Sequence, residues 1–225
     1  MIYIIVLATM AASWLVRFRF QQVIQELSEV PTRSGMSGKE IAERMLRDYG
    51  IYDVKVISAP GMLTDHYNPA DKTVNLSEAV YHTRNVTAAA VAAHECGHAV
   101  QHATAYSFLQ FRSSLVPVVS IASRFSPFVL MGGVLMIQTF PLLLQIGVLM
   151  LAAATLFSFV TLPVEFDASR RALAWLEKSH ITSGDEHVYA KKGLWWAAMT
   201  YVVAALGSLA TLLYYLAILL NRRQD

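Results

Sequence analysis

Three long runs without a charged side chain constrain this chain of 225 residues more than any other feature. They cover residues 1–16, 125–164 and 193–221. A helix needs about 20 apolar residues to cross the hydrocarbon core of a bilayer, so the second run is long enough to cross twice. Only 15% of the residues are charged, whereas soluble domains carry about 25%. We therefore expect an integral membrane protein in contact with the lipid bilayer.

Polar residues within the second run divide it. Gln138, Thr139 and Pro141 interrupt the apolar sequence, which predicts a helical hairpin with arms at about 116–137 and 140–162. The N-terminal run lacks the basic start of a secretory signal peptide, so we interpret it as a retained anchor. With the C-terminal run, the expected number of transmembrane helices is about four.

Basic residues are distributed unevenly between these predicted spans. Residues 17–112 carry ten Lys or Arg and residues 163–192 carry five, against Arg222 and Arg223 at the C-terminus and none before Arg17. Cytoplasmic loops are enriched in Lys and Arg, which predicts that both polar segments face the cytoplasm and that both termini lie outside. Basic and acidic residues nearly balance, at 18 and 16, which argues against nucleic acid as a partner.

The first polar segment has the patterns of a small α+β domain. Ser37 and Glu40 have capping-box spacing and predict a helix that Gly50 ends. Apolar and polar residues alternate in residues 53–59 and 73–76, which predicts two short strands. These elements precede an alanine-rich stretch with helical character.

That stretch carries an H-E-x-x-H motif, His94-Glu95-Cys96-Gly97-His98, on a predicted helix that Asn85 caps and that runs toward Phe111. Histidines four apart lie on one helix face, so both imidazoles can bind one metal ion. Zinc prefers such ligands, and a catalytic zinc keeps one position open for water. We expect zinc as cofactor and Glu95 as the general base that takes a proton from that water. The alternative is an alanine-rich packing helix with two polar histidines.

The third protein ligand has to come from elsewhere in the chain. His102 is one turn beyond the motif, and we interpret it as a surface residue or as a partner of a ligand. Glu165 and Asp167 are the first charged residues after the hairpin, whose two crossings return the chain to the side of the motif. We therefore predict Glu165 as the third ligand. The alternative is that these carboxylates only pair with Arg170 and Arg171 one turn along.

The two residues between Glu95 and His98 have separate expected roles. Cys96 points to another face of the helix, where we expect a small packing residue rather than a metal ligand. Gly97 has no side chain, so we expect it to permit the close approach of a neighbouring strand or span.

Several segments beyond the motif resemble one family. The similar segments span nearly the whole sequence and are residues 34–38, 61–69, 74–77, 92–101 and 165–169. The chain resembles the YugP-type family of membrane-bound neutral zinc metallopeptidases and, more distantly, the HtpX and CAAX prenyl endopeptidase group. This resemblance implies a gluzincin-like peptidase with His94, His98 and Glu165 on zinc and Glu95 as base.

The resemblance also implies a partner for a zinc histidine. In the distant group, an aspartate four residues after the ligand glutamate is thought to support a metal-binding histidine. Ser169 occupies that position here. We therefore expect Asp167 or Asp65 to substitute for the missing carboxylate.

Substrate binding is a further implication of the resemblance. It implies that the strand at Thr73–Leu76 is an open sheet edge onto which an extended polypeptide substrate adds. His66 or Tyr67, between the two predicted strands, could supply a hydrogen-bond donor to the tetrahedral oxyanion. The alternative for this segment is an Asx-type turn that leads into Pro69.

The sequence thus predicts a predominantly α-helical integral membrane protein with a small α+β zincin-like domain. Its predicted parts are an N-terminal membrane anchor (1–20), the zincin-like domain (21–113), a transmembrane hairpin (114–162), a loop or helix with the third ligand (163–192) and a C-terminal transmembrane helix (193–221). The predicted function is zinc-dependent endopeptidase action on membrane-associated or misfolded proteins. The alternatives are a non-catalytic zinc-binding membrane scaffold and an intramembrane-cleaving metalloprotease.

Overall fold

The structure is a computed structural model that describes residues 2–221. Within these residues, three strands and seven helices are present: α1 (Ile2–Ser28), α2 (Gly38–Asp48), β1 (Lys55–Ala59), β2 (His66–Asn68), β3 (Thr73–Ser77), α3 (Glu78–Tyr81), α4 (Val86–Ala103), α5 (Ser107–Leu135), α6 (Pro141–Lys178) and α7 (Asp185–Asn221). The expected fold class, mostly helical with a small α+β part, is confirmed. Arg222 and Arg223, which bear on orientation, lie outside the described residues.

Four of the helices, α1, α5, α6 and α7, are long and apolar enough to cross a membrane. The expected hairpin is present as α5 and α6, which a short turn separates at residues 136–140. Pro141 begins α6, and a proline is well tolerated at the first helical position because the amide hydrogen that it lacks has no partner within the helix there.

Residues 2–15, 110–162 and 200–221 form one of two compact units. In this unit α5 and α6 pack closely at Gly133, where a Cβ atom would lie only 2.6 Å from Leu144 Cα. Leu130, Leu144 and Val148 form a buried apolar cluster at this contact. The unit is therefore held by close packing of apolar helices, as is usual where lipid rather than water surrounds them.

Residues 16–109 and 163–199 form the second compact unit, which contains the sheet. The strand order is β1-β3-β2, with β3 parallel to β1 and antiparallel to β2. The expected open edge at Thr73–Leu76 is therefore wrong, because β3 is the central strand. The segment interpreted as a turn forms β2 and covers β3. The Asx turn is also present, since Asn68 Oδ1 accepts from the amide of Ala70 at 2.9 Å.

The helix starts expected in this unit are confirmed. Ser37 and Glu40 form the reciprocal capping box at the start of α2, and Asn85 Oδ1 accepts from the amide of Ala88 at 2.8 Å at the start of α4. However, α4 ends at Ala103 rather than near Phe111. The backbone of Ala105 has a φ of +51°, and this left-handed residue redirects the chain before α5 begins.

Small side chains on α4 determine how the second unit packs. Ala89, Ala92 and Ala93 are fully buried, together with Ile41 and Met45 of α2. Residues 163–178 continue α6, so the segment that carries Glu165 is helical. Two helices, α4 and the C-terminal part of α6, thus hold the predicted metal ligands.

Candidate metal centre

The structure brings His94, His98 and Glu165 together. The two imidazoles stand one turn apart on α4 with ring centroids 4.8 Å apart. Glu165 Oε2, from α6, lies 3.4 Å from His94 Nε2 and 3.7 Å from His98 Nε2. The Glu165 side chain is only 4% exposed. These three residues could hold a metal ion, since their ligand atoms all lie within 4.8 Å of one another.

The spacing of these atoms fits zinc. Tetrahedral zinc with ligands at about 2.0 to 2.1 Å places neighbouring ligand atoms about 3.3 Å apart. The two measured separations from Glu165 Oε2, 3.4 and 3.7 Å, are close to this value. Two imidazoles and one carboxylate also match the donor set of catalytic zinc sites, in which the fourth position stays open.

Gly97 allows the two ligand-bearing helices to approach each other. A Cβ atom at Gly97 would lie 2.6 Å from the carbonyl oxygen of Ala168 on α6. Real Cβ atoms do not approach backbone so closely, so any larger residue would separate α4 from α6. The expectation that Gly97 permits a close helix approach is confirmed, and the partner is the helix that carries Glu165.

Cys96 lies in the core of the unit. It is fully buried, and its Sγ lies 3.6 Å from the carbonyl oxygen of Ala42 on α2. Burial raises the pKa of its thiol, so the thiolate that a metal would require is disfavoured. The expected packing role of Cys96 is confirmed.

The second nitrogen of each histidine has a neutral partner. His94 Nδ1 lies 3.1 Å from Ser169 Oγ on α6. His98 Nδ1 lies 3.0 Å from Oε1 of Gln101, which is on α4 itself. In zinc proteins such outer contacts fix the orientation of the ligand ring and leave the other nitrogen for the metal. Both Nε2 atoms are the ones that face Glu165.

The two carboxylates expected to support a zinc histidine have other direct partners. Asp65 accepts hydrogen bonds from the backbone amide and the hydroxyl of Ser77. Asp167 pairs with Arg170 and Arg171, as the alternative for this residue predicted, and it also accepts from Gln101 Nε2 at 3.0 Å, the side chain whose Oε1 contacts His98. Ser169 itself contacts a histidine, because a hydroxyl can accept from an imidazole N–H where the distant group has a carboxylate.

The electrostatics of the site favour a positive charge. Burial acts to lower the pKa of the His98 imidazole. The hydrogen bond to Glu165 and the negative charges of Glu95 and Glu165 outweigh burial and hold the pKa of His98 above its ordinary value. The carboxylates around this imidazole thus favour a positive charge at the centre, and a metal ion bound there would take the place of the proton on His98 Nε2.

Glu95, the predicted base, is buried and is held by the sheet. Its Oε2 accepts a hydrogen bond from the backbone amide of Tyr67 on β2 at 3.0 Å. The Tyr67 hydroxyl lies 2.7 Å from His102 Nδ1, and burial, followed by the charge of Asp53, raises the pKa of the Tyr67 phenol. Tyr67 therefore reaches the predicted base through its backbone, and its side chain pairs with His102.

His66 has a different environment. It is exposed, and its Nδ1 lies 2.7 Å from the carbonyl oxygen of Thr64. The oxyanion role for the side chain of His66 or Tyr67 stays a prediction.

Gln101 was not identified from the sequence as a site residue, although its position carried a signal. It lies three residues after His98, which places it on the same helix face one turn along. It is also a fully buried polar residue in an apolar part of α4. Its partners on α6 are 63 and 66 residues away in the chain, so no local pattern could show them.

The chain matches known proteins along almost its whole length. A family model described as "Putative neutral zinc metallopeptidase" matches residues 2–220. The protein named "Putative membrane protease YugP" from Bacillus subtilis (strain 168) is 40% identical over 219 residues, which are 97% of this chain and 96% of the relative. No solved structure matches the chain. Similarity of this extent covers both the apolar helices and the residues of the metal centre.

Proposed function

Because this chain belongs to the family described as putative neutral zinc metallopeptidases, we propose that it is an integral membrane zinc endopeptidase that hydrolyses peptide bonds. The observation that carries this proposal is the convergence of His94, His98 and Glu165 within 4.8 Å. The next residue on the same helix, Glu95, is a buried carboxylate in a position to act as a base. The relative's description as a membrane protease agrees with the four apolar helices.

Each residue of the centre has a distinct role in this proposal. His94 and His98, with their Nε2 atoms toward Glu165, and the Glu165 carboxylate would hold the zinc ion. Zinc bound there would supply the Lewis acidity that makes water a nucleophile at neutral pH. Glu95 takes a proton from the attacking water and delivers it to the amine nitrogen that leaves. The Tyr67 amide holds Oε2 of Glu95, so Oε1 is the atom that takes the proton.

The polypeptide substrate binds in an extended conformation along the outer edge of β2. β2 is an outer strand of the sheet, whereas β3 has a strand on each side. The Tyr67 amide on β2 donates to Glu95, so an incoming substrate has to pair with the remaining backbone groups of this edge or displace that hydrogen bond. Pairing through backbone groups requires little side-chain identity, which suits an enzyme that acts on membrane-associated or misfolded proteins. The excess of basic residues in the two polar segments supports a cytoplasmic location of the site.

A zinc-binding scaffold without activity is the competing proposal. Structural zinc sites normally have four protein ligands and no open position. Three protein ligands converge here, and Glu95 is engaged by Tyr67 rather than by the cluster. The ligand number therefore favours an enzyme over a scaffold.

Substitution Glu95→Gln separates these two proposals. We expect the purified variant, reconstituted in lipid nanodiscs, to bind one zinc per chain as the wild type does. Its hydrolysis of unfolded casein should fall by about 100- to 10,000-fold, the usual contribution of a general base. Zinc is measured by inductively coupled plasma mass spectrometry, and hydrolysis by the release of fluorescent peptides. Equal hydrolysis by the two proteins would contradict the assigned base.

Substitution Glu165→Ala tests the third ligand. We expect loss of both zinc and casein hydrolysis, because two imidazoles alone bind zinc weakly. Glu177→Ala is the matched control, since Glu177 is on the same helix and its side chain is 73% exposed. The control should keep zinc and activity. Stoichiometric zinc in Glu165→Ala would remove this ligand from the site.

A further inference from the structure

We propose that Gln101 is a positioning residue of the metal centre, which fixes the tautomer of His98 and the placement of Glu165. This inference rests on the proposed zinc site. Gln101 lies one turn after His98 on α4 and has no exposed surface. A buried amide is costly unless its oxygen and its NH₂ group are both paired. Its side-chain amide is paired with groups on the two helices that carry the ligands, α4 and α6, so both ends of the amide are satisfied in the interior.

The partners of Gln101 determine which way its amide faces. Its Nε2 lies 2.8 Å from the carbonyl oxygen of Val164 and 3.0 Å from Asp167 Oδ2. A carbonyl and an ionised carboxylate can only accept hydrogen bonds, and Asp167 is paired with two arginines. A flipped amide would place its oxygen against two other oxygens. The NH₂ group therefore faces α6, and Oε1 faces His98.

This orientation decides where His98 carries its proton. Gln101 Oε1 is an acceptor, so His98 Nδ1, at 3.0 Å, must donate. A neutral imidazole with its proton on Nδ1 has its lone pair on Nε2. His98 Nε2 is the atom that lies 3.7 Å from Glu165 Oε2. Gln101 thus holds the imidazole in the tautomer that presents a lone pair to the metal.

The same amide also positions the third ligand. Val164, whose carbonyl accepts from Gln101, immediately precedes Glu165 in α6. Gln101 therefore ties α4 to the backbone beside Glu165, close to the contact that Gly97 makes possible. One side chain thus links two of the three ligands, and it also joins Asp167 to His98 through its two polar ends.

Exchanging the hydrogen-bond donor and acceptor between Gln101 and Asp167 tests this role. The first substitution, Gln101→Glu, retains an acceptor for His98 but places a carboxylate against Asp167 and the Val164 carbonyl. We expect the zinc affinity to fall about 10- to 100-fold, the usual cost of losing an outer contact to a ligand. Adding Asp167→Asn supplies an amide donor for the new carboxylate. The double variant should recover part of the affinity, but not all, because the Val164 carbonyl still lacks its donor.

The measurements are zinc affinity, by competition with a chromophoric chelator, and the visible absorption of the cobalt-substituted protein in nanodiscs. Thr87→Val is the matched control, because Thr87 is a buried residue of α4 whose hydroxyl donates to the carbonyl of Ile24. This control should lower the unfolding temperature without changing the zinc affinity or the cobalt spectrum. If Gln101 served only to pack the core, its variants would likewise lower the unfolding temperature and leave the zinc affinity and the cobalt spectrum unchanged.

Two outcomes would overturn the inference. One is wild-type zinc affinity in Gln101→Glu. The other is a double variant whose zinc affinity is no higher than expected from adding the separate effects of Gln101→Glu and Asp167→Asn. Where Gln101→Glu does not fold, Gln101→Met fills a similar volume without polar atoms. It should lose zinc affinity to the same extent, and wild-type affinity there would equally refute the role. Failure of the proposed zinc site is distinguishable, since the His98→Ala variant would then bind zinc as tightly as the wild-type protein does.

Discussion

Two close helix contacts in this molecule are both made at a glycine, but their surroundings differ. In one unit, Gly133 of α5 approaches Leu144, and in the other, Gly97 of α4 approaches Ala168. In each case a Cβ atom would lie 2.6 Å from the neighbouring backbone. The first contact is surrounded by buried leucine and valine. The second lies beside Gln101 and the cluster of His94, His98 and Glu165 that could hold a metal ion.

The difference between these contacts lies in what they tolerate. Apolar side chains can repack at moderate cost when two helices shift. Hydrogen-bonded groups in a buried network cannot, because each depends on distances of about 3 Å and loses its partner when the helices separate. We therefore expect the same shift to cost stability in both units, but to disturb the candidate metal centre only in the unit that holds His94, His98 and Glu165.

The largest effect should come from substituting the two glycines. Gly97→Ala and Gly133→Ala both place a methyl group against backbone, which costs about 1 to 3 kcal/mol or more by overpacking. This exceeds the gain of about 1 kcal/mol from alanine's higher helix propensity. We expect both variants to unfold at lower temperature, and only Gly97→Ala to lose zinc, because it separates α4 from Glu165.

Differential scanning fluorimetry and zinc analysis of the two variants in nanodiscs provide this test. If Gly133→Ala loses zinc as completely as Gly97→Ala, the two contacts are coupled, and the expectation that only the Gly97 contact supports the metal centre is wrong. If Gly97→Ala keeps a full complement of zinc, the ligand geometry does not depend on the close approach of α4 and α6.

A smaller effect is expected at the other histidine. Ser169→Ala removes the hydroxyl that lies 3.1 Å from His94 Nδ1, so zinc affinity should fall by about 10-fold. Ser169→Asp places a carboxylate there, which makes the imidazole a more basic ligand and should tighten binding. Chelator competition at fixed pH measures both changes. Weaker binding in Ser169→Asp than in Ser169→Ala would show that this position requires a neutral partner.

The parts of the site that the sequence predicted depend on local periodicity and on chain return. Histidines four apart on a helix share a face, which places His94 beside His98. A hairpin that crosses the bilayer twice returns to its starting side, which made Glu165 the expected third residue. The start of α2 was also predictable, since Ser37 and Glu40 satisfy each other locally. These inferences need no knowledge of contacts between distant segments.

The parts that were missed depend on contacts between distant segments or on backbone conformation without a sequence signal. Asn68 does form the expected Asx turn. The segment that leads into it nevertheless forms strand β2, which pairs with β3, and the local turn signal gave no indication of this pairing. The end of α4 depends on a left-handed alanine, Ala105, which has none of the usual stop signals. The contacts of Gln101 with α6 exist only because two helices meet at a glycine.

The smallest effect is expected from removing a hydrogen bond within the apolar unit. In this unit, Thr155 Oγ1 of α6 and Ser208 Oγ of α7 lie 2.7 Å apart. Hydrogen bonds between membrane helices contribute on average only about 0.6 kcal/mol, because the separated helices find other partners. Ser208→Ala should therefore lower the unfolding free energy by about that amount and leave zinc affinity unchanged. Reversible unfolding in mixed micelles measures the first, and chelator competition the second. A loss of zinc affinity in Ser208→Ala comparable to that in Ser169→Ala would mean that the polar contact between α6 and α7 supports the metal centre, which would contradict a purely packing role for the apolar unit.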